Sequence, residues 1–127
     1  MNAITLALCA LAGGAGAGLR ALLVHRLAER GGVPMWKTLL VVNAIGCAAA
    51  GAAVNALGRV DGAGTLMPLA LTGLLGGFTT FSSYAVECVE LWSRGARLRG
   101  VASAIGSLLA CVACAWLGHA LVTGVAG

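Results

Sequence analysis

Uncharged, mostly apolar runs divide this chain into four. Residues 1–19 carry no charged side chain. Further uncharged runs lie between Lys37 and Arg59, between Asp61 and Glu87, and from Gly100 to the C-terminus. Each run is about 20 residues or longer, the length an α-helix needs to cross a bilayer. The pattern predicts four transmembrane helices, at roughly 3–24, 37–57, 65–91 and 100–122, in one all-α membrane domain covering residues 1–127. Trp36, Trp92 and Trp116 fall near the ends of these runs, where interfacial anchors belong.

The third run departs from a plain membrane helix. It holds Gly73-Leu74-Leu75-Gly76-Gly77-Phe78-Thr79-Thr80-Phe81-Ser82-Ser83-Tyr84, in which three glycines weaken the helix and four hydroxyl residues follow. Backbone N–H and C=O groups freed inside a bilayer are tolerable only when buried in protein or lining a polar cavity. The stretch therefore predicts a helix broken near the midplane, an arrangement that holds an ion or solute.

Composition strengthens this reading. Hydrophobic residues make up 60% of the chain and charged ones only 9%, against about a quarter charged in a soluble domain. A formal charge of +4 scattered along the chain does not make a nucleic-acid face. Cys9, Cys47, Cys88, Cys111 and Cys114 lie in apolar runs and read as small packing residues rather than a disulfide framework. The Cys111/Cys114 pair lacks the companion ligands of a metal or redox centre. No basic segment precedes the first apolar run, so that run is expected to stay as a mature span. No nucleophile–base pair is visible, and an enzyme is not expected.

The few polar residues inside the spans are the candidate chemistry. In span 1, Gly14 and Gly18 would make one smooth face for a neighbouring helix, ending at Arg20. Arg20 reads either as a snorkelling residue or as a charge facing an aqueous vestibule. Asn43 in span 2 is either interhelical glue or an anion donor. Phe81 and Tyr84, three apart, share a helix face, and their electropositive ring edges could meet an anion. Ser103, Ser107 and Cys111, each four residues on from the last, are either tight packing or the wall of a polar track. Asn55, Glu87, Glu90 and His119 read as interfacial.

Together these motifs resemble the small bacterial fluoride channels of the Fluc/CrcB family. The likeness rests on Gly13-Gly14-Ala15-Gly16-Ala17-Gly18-Leu19-Arg20, on Val41-Val42-Asn43-Ala44-Ile45-Gly46, and above all on Gly76-Gly77-Phe78-Thr79-Thr80-Phe81-Ser82. The resemblance implies an antiparallel dimer of four-helix subunits in the bacterial cytoplasmic membrane, passing fluoride passively through two pores. It implies a structural sodium ion at the dimer centre, held by the backbone carbonyls of Gly76 and Thr79. Phe81 and Tyr84 would take the places of the two pore phenylalanines. Asn43 would line the pore and Arg20 its vestibule, with Ser83, Ser107 and Cys111 forming a polar track. This chain departs from the family pattern at three points. Tyr84 stands where phenylalanine is usual. Thr38 lies five residues before Asn43, whereas the usual threonine position, four before, holds Leu39. Cys111 stands where a serine can occur.

Charge around the spans bears on the partner. Arg26, Arg30, Lys37, Arg94, Arg97 and Arg99 flank one membrane side, and Arg59 alone the other. The bias favours termini outside the cytoplasm and pairing with an oppositely oriented paralogue rather than with itself. The alternative functions are a four-helix small-molecule or cation exporter and a non-conducting membrane subunit. The exporter would need a carboxylate in span 1, and the first acid, Glu29, lies beyond it.

Overall fold

The computed structural model describes residues 2–125. Four helices in it are long and apolar enough to cross a membrane, and the described residues contain no strand. The first, α1 (Ala3–Val24), is capped by Asn2, whose Oδ1 accepts from the Thr5 N–H and the Thr5 hydroxyl, both at 2.8 Å. The segment expected to be loop after span 1 is instead helical. His25–Arg30 extends α1 in π-type turns, and the chain turns only at Gly31-Gly32, where Gly32 takes a φ of 64°. Between Gly18 and that pair no glycine lets the backbone leave a right-handed helix cheaply. Pro34 then leads into α2 (Met35–Gly58).

The third span forms two pieces, broken inside the expected stretch but at its threonines rather than its glycines. The first piece, α3 (residues 66–78), runs through Gly73, Gly76 and Gly77, with π-type turns over Leu69–Leu75. The extended residues are Thr79 (φ −79°, ψ 157°) and Thr80 (φ −145°, ψ 119°), and α4 (Phe81–Ser93) follows. A fourth span, α5 (Arg97–Val125), completes the bundle.

The glycines serve close packing instead. A Cβ on Gly77 would sit 2.1 Å from the Gly13 carbonyl oxygen, and one on Gly16 would sit 2.0 Å from that of Leu74. The backbones of α1 and α3 therefore touch, as small residues permit in a membrane. At Gly14 and Gly18, expected to form the smooth face of span 1, an added Cβ would meet nothing within 4 Å inside the subunit. The contact face is that of Gly13 and Gly16. On the other side, α2 and α5 make the most extensive helix contact. A Cβ on Gly51 would lie 1.9 Å from the Ala115 carbonyl oxygen, and one on Gly118 would lie 2.0 Å from that of Ala48.

Asn55, read from sequence as interfacial, is buried in this contact. Its Nδ2 donates to the His119 carbonyl at 2.8 Å and to the Thr123 hydroxyl, tying α2 to the end of α5. Most large apolar side chains, among them Leu11, Leu22, Leu108 and Leu121, point outward, as suits a helix bundle in lipid.

Gly77→Ala and Gly51→Ala should each destabilise the subunit by about 1–3 kcal/mol, the usual range for overpacking against backbone that cannot yield. Gly124→Ala, which meets open space, should change stability by no more than roughly 0.5 kcal/mol. Thermal unfolding of the purified variants in detergent checks the contrast.

Candidate functional site: the interrupted third span

The break at Thr79-Thr80 strands several backbone groups, and named side chains take them up. In an unbroken helix the Thr80 N–H would bond the Gly76 carbonyl. Here it donates to Asn43 Oδ1 at 2.9 Å, while Asn43 Nδ2 donates to the Thr80 carbonyl at 3.0 Å. Asn43 thus grips both polar groups of one extended residue. The Ser83 N–H, the ordinary partner of the Thr79 carbonyl, is accepted by the Thr80 side-chain oxygen at 3.2 Å, an N-cap that starts α4. The freed Thr79 carbonyl accepts from Arg20 Nη1 at 3.0 Å.

Gly46, one turn after Asn43, completes the arrangement. A Cβ there would fall 2.3 Å from Thr79 Cγ2 and 3.2 Å from Phe78 Cδ1. The asparagine and glycine of the span 2 motif act together: one holds Thr80, and the other makes room for Thr79.

Beside the break lies an open groove of about 350 Å³, whose lining includes Asn43, Thr80, Phe81, Tyr84, Ser107 and Cys111. The fold thereby brings together six of the site residues expected from sequence: Asn43, Thr79, Phe81, Tyr84, Ser107 and Cys111. Cys47 also lines it, and no sequence signal singled it out. The Phe81 and Tyr84 rings stand 5.9 Å apart between centroids at 53°, a tilted pair. Phe81 is 79% exposed, so this wall of the groove is open.

The tyrosine hydroxyl, which the family's usual phenylalanine would lack, donates to the Ala104 carbonyl at 2.7 Å. It anchors the ring to α5. Thr38 is fully buried with its hydroxyl directed to the Val33 carbonyl at 3.4 Å, away from the groove.

Arg20 and Ser83 lie elsewhere. Both line a second groove, of about 550 Å³, together with Leu39, Val86, Glu87 and Glu90. Ser83 still reaches the break, since the Thr80 hydroxyl donates to its Oγ at 3.1 Å. Arg20 shares this groove with two carboxylates, so the groove is not an electropositive one.

The donor chemistry suits a hard, weakly charged cation at the break. The Gly76 and Thr79 carbonyls have both lost their helical N–H partners, and neutral oxygens of this kind ligate such ions. Arg20 shares the Thr79 oxygen and would compete with a bound cation there. Among the described residues no group of three or more His, Cys, Asp or Glu side chains could hold a metal ion.

Asn43→Ala should leave the Thr80 N–H and C=O without their partners and destabilise the subunit by about 1–3 kcal/mol, the desolvation penalty of orphaned backbone groups. Tyr84→Phe removes one hydrogen bond and should cost no more than about 1.5 kcal/mol. Thermal unfolding of both variants, side by side, separates a brace of the break from a tether of one ring.

A family model described as CrcB-like protein, Camphor Resistance (CrcB) matches residues 7–119. Curated relatives include the fluoride-specific ion channel FluC of Mesorhizobium japonicum, 36% identical over 91% of this chain and 97% of the relative. The FluC of a Chelativorans species is 38% identical over 92% and 98% of the two chains. The FluC 1 of Streptomyces coelicolor is 40% identical over 91% of this chain and 75% of that one. These relatives are channels, not enzymes. With its four membrane-spanning helices, interrupted third span and match along nearly its whole length, the chain belongs to the CrcB family of multi-pass bacterial inner-membrane proteins.

Proposed function

We propose that this chain is a subunit of a fluoride-selective channel that lets fluoride leave the cytoplasm passively. The observation that carries the reading is the groove beside the break. It sets an amide, hydroxyls, a thiol and two aromatic rings along one otherwise apolar wall at the middle of a membrane bundle. Fluoride is small and strongly hydrated, so its passage requires donors that replace water without trapping the ion on a fixed charge. Asn43 spends one Nδ2 proton on Thr80 and keeps the other for the groove. The Ser107 hydroxyl and the Cys111 thiol add donors, and the Phe81 and Tyr84 edges add electropositive hydrogen. The names of the relatives support the same ion.

The groove's open side calls for a partner. Polar groups at bilayer depth cannot face lipid, and Phe81 and the glycine face of Gly14 and Gly18 are uncovered within the subunit. An antiparallel second subunit would cover them and bring two breaks together at a two-fold axis. The carbonyls of Gly76 and Thr79 from each subunit would hold a structural sodium ion there, whose positive charge would consolidate the contact.

The bias of six cations against one predicts a mostly single orientation, so we further propose that the natural partner is an oppositely oriented paralogue. Proton-coupled export is disfavoured because α1 offers no membrane-embedded acid; Glu29 lies in its terminal π turns.

Liposomes holding the purified chain, read with a fluoride electrode, should release fluoride rapidly and chloride not at all, either alone or once a paralogue of opposite charge bias is added. Absence of fluoride efflux under both conditions would refute the channel. A C-terminal tag on cells should be accessible mainly from outside; equal accessibility from both faces would refute the single orientation.

A further inference from the structure

Three arginines lie between the end of α4 and the first turn of α5, and two of them are engaged. Arg94 pairs with Glu90 at 3.1 Å, and the Arg97 guanidinium lies over the Trp92 ring, 5.6 Å from its centroid. Arg99 makes no ion pair, side-chain hydrogen bond or ring contact among the described residues. It lines a groove of about 470 Å³ whose other walls include Trp36, Leu40, Leu91, Ser103 and Ser107. Ser107 is also a wall of the groove beside the break. Arg99, Ser103, Ser107 and Cys111 follow one another at intervals of four along α5, so they share one helix face. That face runs from the loop end of the bundle to Asn43, Phe81 and Tyr84.

The two outer grooves differ in charge. The Arg20 groove carries Glu87 and Glu90 beside its arginine, and with Arg94 on Glu90 its charges balance. In the other, Arg99 is the only charged wall among the described residues, and the Lys37 ammonium adds a second positive charge over the Trp36 ring at 5.3 Å. Apolar walls beside a charge confine its field and raise the local concentration of counter-ions.

We propose that the Arg99 groove, rather than the Arg20 groove, is the anion-collecting vestibule on this side of the membrane. It passes anions over Ser103 and Ser107 to the groove beside the break. The collecting role is a property of the groove itself. The passing role rests on the channel reading above.

Trp36 lines the groove and reports on it directly. In a Trp92→Phe/Trp116→Phe background, iodide quenching of Trp36 fluorescence should fall about threefold on Arg99→Gln, the Boltzmann factor for one unit charge roughly 6 Å away in water. Arg99→Lys should retain it, and neutral acrylamide should quench all variants equally. Iodide quenching unchanged by Arg99→Gln would overturn the collecting role, whether or not the chain conducts.

In liposomes at low ionic strength, Arg99→Gln should slow fluoride efflux by a similar factor. Arg99→Lys should restore it, and raising the salt to about 0.5 M should erase the difference by slowing the wild type, since screening removes the advantage of the charge. A conducting wild type whose efflux ignores Arg99→Gln would overturn the passing role. A wild type that conducts nothing would refute the channel reading, and the quenching result would still decide whether the groove gathers anions.

Discussion

Backbone polarity in a solvent without water is the constraint on which this molecule turns. Interrupting a membrane helix exposes N–H and C=O groups that lipid cannot satisfy. The interruption survives because one side chain from a neighbouring helix answers both groups of Thr80. An amide is suited to this, since it donates and accepts through two adjacent atoms, as a backbone does. Everything else at the site follows from that grip. Thr80 is held extended, its side chain is free to cap α4, and α4 starts with Phe81 and Tyr84 turned toward the groove. The Thr79 carbonyl, pointed away from any helical partner, becomes available to Arg20.

Close approach of backbones is the second organising feature. Two glycine seams, α1 against α3 and α2 against α5, draw the helices in until a single methyl would collide with a carbonyl oxygen. Asn43 belongs to α2, and the residue it grips belongs to the span that α1 holds. The two seams therefore meet at the break. The Tyr84 hydroxyl adds a third tie, from α4 to the α5 backbone, which anchors one ring of the tilted pair.

Much of this was legible in the sequence, for reasons that can be stated. Charge-free runs of sufficient length mark spans, because a bilayer excludes charge whatever the details of packing. The heptapeptide from Gly76 to Ser82 marked the interruption, and Asn43 stood out as the strongly polar residue well inside its span. What the sequence misdirected was mechanism at single positions. Glycine weakens a helix in water, yet Gly73 and Gly77 stay helical because neighbouring backbones pack on them. Choosing Gly13 and Gly16 over Gly14 and Gly18 depends on the rotation of α1 about its axis, which no local pattern specifies. Asn55 was read as interfacial from its place near the end of a run, but its amide is spent on α5. Arg99 and Cys47 were not visible as groove residues because the walls facing them, Trp36 and Leu91 for one and Phe81 and Tyr84 for the other, come from other helices.

The split span also constrains how the protein is made. Each piece, α3 and α4, comprises 13 residues, a rise of about 20 Å, well short of a hydrocarbon core of about 30 Å. Neither piece can cross the membrane by itself. Residues 66–93 must therefore be inserted as one continuous hydrophobic unit, and the interruption can form only afterwards, once α2 is alongside to offer Asn43. Because α2 is synthesised before the third span, the template for the break is already in the membrane when the segment to be broken arrives.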